Sequence, residues 1–323
     1  MEQVLLEQAR DDVGTTIRKA LSELEYHLKI GSPRRIVIKP NLGNPFHVDG
    51  VTTHPEVVVA VVEWLRDRFA DVAVVESDGI RYSCDTSFEA MGLTQSVPAV
   101  GGRLVNLSKD PSVGPPMVER GAVRILLPKT LHDADMIVSA PVLKTHELTT
   151  ISCSVKNLFG CVPSSTRIRL HPFLSDVLAD LYVRLKPRLV VGDAIDAMHG
   201  NGPIHGDVRR LNLLTFGTDC LTHDSAIARL LYGTSWERVE HLKLAAGKTN
   251  ANPDDVRVTN RFGELPQLSV PQLDIVARTM ALTYRSQGLT SLLYLTPMFP
   301  LLNRLAWSYR AISGKKPKFE LHY

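Results

Sequence analysis

Four side chains between residues 144 and 157 have types and spacing that could do chemistry: Lys144, His146, Lys156 and Asn157. Two lysines beside a histidine can bind an anion and move a proton, because burial or a second cation lowers the pKa of one amine toward neutrality. Lys144, His146 and Lys156 are therefore catalytic candidates, and His199, beside a glycine-rich turn, is a fourth. In Lys39-Pro40-Asn41 the proline fixes the backbone and removes a donor. Lys39 there reads as an anion anchor and Asn41 as a polar reader of the substrate. Asn157, Asn201 and Gly202 complete the substrate-binding candidates. Glu76, Asp193 and Asp196, with Asp78 and Asp219 nearby in type, offer the oxygen ligands of a Mg²⁺ or Mn²⁺ site. Asp193 and Asp219 fit turn bracing equally well.

Several established patterns are absent. There is no H-E-x-x-H zinc helix, no D-x-D-x-D-G calcium loop and no G-x-S-x-G nucleophile elbow. His199 and His205 flank a turn, which is not a standard metal-ligand spacing, and both stay candidates for acid–base work. Gly200-Asn201-Gly202-Pro203-Ile204-His205-Gly206 misses the dinucleotide fingerprint by one residue, and Pro203 removes an amide that a phosphate would want. Its glycines are expected to shape an active-site loop. Cys84, Cys153, Cys161 and Cys220 include no C-x-x-C pair, so no iron–sulfur cysteine motif exists and the thiols read as small buried hydrophobes.

The elements that must position these residues are strands alternating with helices. Apolar spacing predicts helices over 9–28, from Thr53 to about Phe69, over 175–186, 222–232 and 234–246. Thr53 with Glu56, and Thr234 with Glu237, form capping-box patterns. β-rich runs predict strands at 34–38, 72–75, 104–107, 123–127, 136–139, 189–191 and 211–216. This alternation implies an α/β fold, a mostly parallel sheet with helices on both faces. Five of the strands run directly into Lys, Asn, Asp, Glu or His, and open parallel sheets bind ligands beyond their carboxyl edge. Polar βα loops are ordinary, but this convergence on one edge predicts a cleft. The signals weaken from Asn250 to Gln272, so an α/β domain over 1–285 and an irregular C-terminal extension over 286–323 are expected.

Composition bounds the rest. The chain has 323 residues, 44% hydrophobic and 22% charged, which are globular values. Lys and Arg number 37 against 34 Asp and Glu, net +3, too balanced for a dedicated nucleic-acid binder. Residues 286–303 carry no charge and are interrupted by Pro297 and Pro300. Arg304, Trp307, Tyr309, Arg310, Lys315, Lys316 and Lys318 follow, so the basic excess belongs to the tail. That pattern fits peripheral contact with a membrane surface, and equally packing on the domain or self-association. No secretory signal and no apolar run of about 18 residues is present, so a cytoplasmic location is expected.

The polar strand ends resemble the domain-of-unknown-function family 362. The matching stretches are Ile38–Leu42, Thr52–Val58, Glu76-Ser77, Ala140–His146, Ser154–Gly160, Asp193–Met198, Gly200–Pro203 and Gly206. The resemblance implies one α/β domain and no assigned chemistry. The ferredoxin-like cysteine module frequent in the family is missing, and His199 stands where Glu is frequent. The residues themselves point to an enzyme that binds a small carboxylate or phosphate and uses Lys/His acid–base chemistry, with a Mg or Mn ion as an option. An iron–sulfur-associated redox accessory and a non-enzymatic membrane-surface scaffold stay open as other functions.

Overall fold

Apolar runs such as Ile36-Val37-Ile38 and Val72-Ala73-Val74-Val75 are buried along their whole length. Successive strand residues point to opposite faces, so such a run needs cover on both. In the computed structural model Ile36, Ile38, Val72 and Val74 feed one core, while Val37, Ala73 and Val75 feed a second. The structure describes residues 1–9, 12–28, 33–79, 82–121, 123–163, 165–203, 206–272 and 282–296, with 278, 304, 305 and 308.

The strands are β1 (Glu2–Gln8), β2 (Arg35–Pro40), β3 (Asp71–Glu76), β4 (Arg103–Asn106), β5 (Ser112–Arg120), β6 (Val123–Pro128), β7 (Met136–Ala140), β8 (Val142–His146), β9 (Thr150–Ser152), β10 (Leu189–His199), β11 (Asp207–Gly217) and β12 (Val256–Asn260). The helices are α1 (Val13–Leu28), α2 (Pro55–Arg66), α3 (Cys84–Ala90), α4 (Leu93–Ala99), α5 (Lys129–His132), α6 (Ser154–Asn157), α7 (Leu174–Leu185), α8 (Cys220–Tyr232), α9 (Glu240–Thr249) and α10 (Gln287–Tyr294). Ten strands form one sheet, in the order β12-β1-β11-β10-β7-β2-β3-β4, with β8 attached to β10 and β9 to β8. The neighbours from β10 to β4 pair in parallel, and β11 runs antiparallel to both β10 and β1. Helices α1 to α4 cover one face, and α7 to α9 cover the other. The α/β class and the mostly parallel, doubly covered sheet expected from the sequence are therefore present.

Four local expectations change. The run at 123–127 is β6, but it pairs only with β5 in a separate two-stranded hairpin. The helix foreseen at 234–246 is split: a 3-10 turn over Trp236–Arg238 precedes α9. Thr53 does not cap α2. His54 does, accepting from the Glu56 amide, because Thr53 Oγ1 is spent accepting from Asn41 N and donating to the Ala140 carbonyl. Asp219, offered by the sequence as a metal ligand or a turn brace, caps α8 by accepting from Thr222 N. The first strand escapes sequence reading because its apolar run, Val4-Leu5-Leu6, is short and sits between Glu and Gln. It is strand only because β11 and β12 flank it.

Two features shape the site. After Pro141 interrupts β7, β8 carries the chain beyond the sheet edge and folds back as the hairpin β8–β9, with Lys144 opposite Ser152 and His146 opposite Thr150. Long β10 follows it, its pairing passing from β7 to β8, with an irregularity in its β11 register between Ala194 and Asp196. Lys144 and His146 thus lie on a strand, where a loop was expected. Helix α10 packs against the 3-10 turn Ser165–Phe173. Gln287 Nε2 donates to the Arg120 and Arg169 carbonyls, and Tyr294 stacks on Tyr284.

Candidate active site

A cavity of about 300 Å³ opens where β2 and β3 end, between the β8–β9 hairpin, α6 and the 3-10 turn Ser165–Phe173. Lys39, Asn41, Glu76, Lys144, His146, Lys156 and Asn157 all line it, so seven sequence candidates from four separate segments meet. Arg167, His171 and Tyr82 also line it. Edge reasoning missed Arg167 and His171 because no strand leads directly into their segment.

Glu76 is the sole carboxylate among the lining residues, facing Lys39, Lys144, Lys156 and Arg167. It is already engaged. Its Oε2 accepts from Lys39 Nζ at 2.7 Å and from Leu42 N at 3.0 Å, and its Oε1 accepts from Ser77 N at 3.0 Å. Lys39 also donates to the Pro40 carbonyl at 2.6 Å. Gly160 permits this pair: a Cβ there would lie 2.5 Å from Glu76 Oε1 and 2.6 Å from Lys39 Nζ.

The other cations are less well compensated. Lys144 donates to Asn41 Oδ1 and to the Val51 carbonyl. Burial first, then Lys156 and Lys39, pushes it down to about 7. Lys156 lies 5.6 Å from the Phe159 ring centroid and has no ion pair among the described residues. Burial first, then Arg167 and Lys39, lowers it to about 8. Arg167 donates to Ser77 Oγ and the Val162 carbonyl.

Both histidines are held neutral. Burial, then Lys156, pushes His146 well below its ordinary value and His171 down to about 3. His146 Nδ1 accepts from Leu148 N at 3.1 Å, so its proton sits on Nε2. His171 Nδ1 lies 3.0 Å from the Ile168 carbonyl and must donate, which leaves a lone pair on Nε2. Asn157 Nδ2 donates to the Lys39 carbonyl at 2.6 Å and to Ser139 Oγ at 3.2 Å, while its buried Oδ1 has no partner among the described residues. A buried acceptor left open at a cavity wall suits a donor on a ligand.

Behind α6 lies a network that the sequence did not reveal. The Asp224 carboxylate accepts from Ser154 N at 3.0 Å, Val155 N at 2.8 Å and Ser154 Oγ, and lies 3.0 Å from His223 Nδ1. Burial raises its pKa, but these bonds outweigh burial and hold it below the ordinary range. His223 Nε2 meets Thr215 Oγ1 at 2.9 Å. This network fixes the turn that presents Lys156 and Asn157. Cys153, His223 and Asp224 also place ligand atoms within 4.8 Å of one another, a grouping that could hold a metal ion. A metal there would compete with the α6 amides for the carboxylate, and burial pushes the Cys153 thiol well above its ordinary value.

The remaining candidates stand apart from the cavity lining. His199 Nδ1 meets Ser269 Oγ at 2.9 Å, and Asn201 Oδ1 accepts from Gln272 N at 2.7 Å. The Gly202 carbonyl accepts from Glu147 N at 2.8 Å. A Cβ on Gly202 would lie 2.3 Å from the Thr145 carbonyl oxygen, so this glycine lets the loop approach β8. The loop does reach the cavity through Pro203. Asp193 accepts from His54 N at 2.7 Å and Ile195 N at 3.0 Å, and burial pushes it up to about 6. Asp196 pairs with Arg210 at 3.2 Å. Glu76, Asp193 and Asp196 therefore have separate partners and do not share one ligand position. His205 lies outside the described residues.

A parallel α/β sheet with a cationic cavity at its carboxyl edge is the class that fold and site define. Residues 36–229 match the family described as "Domain of unknown function (DUF362)", and the chain belongs to that family. The "Thylakoid-associated protein sll1697" of Synechocystis sp. (strain ATCC 27184 / PCC 6803 / Kazusa) is 32% identical over 216 residues, 61% of this chain and 63% of that protein. The match thus spans less than two thirds of that relative's length. Among solved structures, a Thermotoga maritima protein matches at 13% identity and TM-score 0.40, over 59% of this chain and 53% of that one. The lactate racemase apoprotein from Thermoanaerobacterium thermosaccharolyticum matches at 12% identity and TM-score 0.38, over 59% of this chain and 50% of that one. Among the described residues no helix is long and apolar enough to cross a membrane.

Proposed function

We propose that the chain is an enzyme that binds a small carboxylate or phosphate in this cavity and moves a proton with Lys144 and His146. The observation that carries this reading is the charge imbalance of the lining, three lysines and Arg167 against Glu76 alone. Charge-assisted hydrogen bonds from such donors suit a carboxylate or phosphate. Lys144, near neutrality at about 7, can give or take a proton at ordinary pH. Lys39 anchors Glu76, while Lys144, Lys156 and Arg167 face the anion. Asn157 Oδ1 accepts from a substrate hydroxyl or protonated oxygen. The only cavity carboxylate is committed to Lys39, so this reading does not require Mg or Mn. The Cys/His/Asp donor set behind α6 suits a softer ion such as zinc.

A thermal-shift titration with phosphate and with small mono- and dicarboxylates tests the reading, because a ligand of the folded state raises apparent stability. The melting temperature should rise with concentration, and Lys144→Ala with Lys156→Ala should remove the rise. Absence of a shift with every acid and phosphate would end the proposal.

A second reading concerns the C-terminal extension. Leu289 and Leu292 of α10, and Leu282 and Leu295 beside it, are exposed, and a basic sequence follows from Arg304. Apolar side chains next to basic ones suit an anionic membrane surface, and the relative's name says "Thylakoid-associated". Co-sedimentation with anionic vesicles, lost in Leu289→Ser with Leu292→Ser, tests it. Equal sedimentation of variant and parent would remove it.

A further inference from the structure

The cavity commits two of its three amines and leaves one without an acceptor. Lys39 Nζ is held by the Glu76 carboxylate and the Pro40 carbonyl, and Lys144 Nζ by Asn41 Oδ1 and the Val51 carbonyl. Among the described residues Lys156 Nζ has no hydrogen-bond acceptor and lies 5.6 Å from the Phe159 ring centroid, and Arg167 lies 5.9 Å from the same ring. An ammonium that finds no acceptor in a half-enclosed site is poorly placed to remain charged. A neutral amine gives up only the contact with the Phe159 ring and has a lone pair to offer. The turn that presents it is fixed from behind by Asp224.

We propose that Lys156 is a nucleophile that forms an imine with the carbonyl carbon of a small oxo acid, a ketone or aldehyde bearing a carboxylate or phosphate. The proposal rests on the anion-binding reading above and supplies its substrate class. The Lys156 nitrogen lone pair forms the C–N bond as the carbonyl π pair moves to oxygen. Two protons pass from nitrogen to that oxygen, the C–O bond breaks, and water leaves. No oxidant or reductant enters. Arg167 holds the acid group, and Lys144, near neutrality at about 7, relays a proton from the nitrogen to the departing hydroxyl. Burial, Arg167 and Lys39 together lower Lys156 to about 8. At pH 7.5 it therefore presents on the order of a hundredfold more neutral amine than a solvent lysine. Nucleophilic lysines gain their reactivity in this way, by desolvation and a neighbouring cation.

Trapping tests it. The full chain is incubated with glyoxylate, the smallest 2-oxo acid, and sodium borohydride at pH 7.5, then mapped by peptide mass spectrometry. One dominant adduct at Lys156 is expected, at least about tenfold above any other lysine. Lys156→Arg, with its fold checked by circular dichroism, should lose that adduct, while Asp196→Ala, outside the cavity, should keep both the adduct and the stabilisation by oxalate. Oxalate stabilisation with no adduct at Lys156, or with labelling spread evenly over surface lysines, overturns the imine and leaves anion binding standing. Absence of both stabilisation and adduct overturns both. An adduct at Lys144 instead assigns the nucleophile to the wrong amine and also overturns the proposal.

Discussion

The two sides of α6 are opposites. Its front face shows the cavity Lys156 without an acceptor and Asn157 with an open carbonyl oxygen. Its back is closed by Asp224, which is fully buried, with both carboxylate oxygens occupied by backbone amides. The α6 residues that meet each side, Ser154-Val155 behind and Lys156-Asn157 in front, adjoin in sequence, and both sides hold charged groups in a low-polarity setting. What differs is satisfaction. A buried charge with all its donors in place rigidifies a structure, and one left short stays costly until something supplies the missing partner. The filled side is the brace, and the unfilled side is where a ligand gains most.

The comparison breaks most severely if the brace is removed. Asp224→Ala strips the Ser154 and Val155 amides and the His223 imidazole of this partner and should cost about 3–5 kcal/mol of stability, read by chemical denaturation. It should also abolish anion-induced stabilisation although it touches no ligand. Next in size is Gly160→Ala. Its Cβ would sit 2.5 Å from Glu76 Oε1, and overpacking of this kind costs about 1–3 kcal/mol. It should displace Lys39 from Glu76 and weaken anion binding together with stability.

The open side should show itself through pH. The depressed pKa values of Lys144 and Lys156, about 7 and about 8, mean both amines are charged at pH 6 and largely neutral at pH 9. Phosphate or oxalate affinity measured by calorimetry should therefore fall at least about tenfold from pH 6 to pH 9, with proton uptake on binding near pH 8. Stability follows the opposite sign. The cost of burying a charged Lys144 is fully present below pH 7 and is relieved as pH rises toward the ordinary lysine range. Affinity independent of pH would sever the link between these lysines and the anion. The smallest effect is expected away from α6. Asp196→Ala breaks a pair with the exposed Arg210, which should cost no more than about 1 kcal/mol and leave the anion response unchanged.

Much of the front was legible in the sequence. Lys39, Glu76 and Lys144 were readable because each follows a β-rich run and strand ends converge on one edge, and Lys156 and Asn157 joined them through their closeness in sequence to Lys144 and His146. The back was not legible. Asp224 and Ser154 are 70 positions apart, and nothing in a buried helical Asp announces that it will accept from a distant turn. Arg167 and His171 were hidden for a related reason: a 3-10 segment with no strand before it gives no position relative to the sheet. Asp193 and Asp196 show the converse failure. They sit three positions apart on one strand, and a register irregularity falls between Ala194 and Asp196, so a carboxylate pair in sequence became a backbone brace and a surface ion pair.

The sequence by itself determined the layered α/β fold, because apolar runs buried on both sides permit little else. It also determined that amines would crowd the sheet's carboxyl edge. Only the tertiary structure decided which amines are spent and which is free. That depends on whether a carboxylate, carbonyl or amide arrives within about 3 Å, and those partners come from segments far apart in the chain. Glu76 reached Lys39, Asn41 and the Val51 carbonyl reached Lys144, and Lys156 was left beside the ring of Phe159, three residues further along the chain.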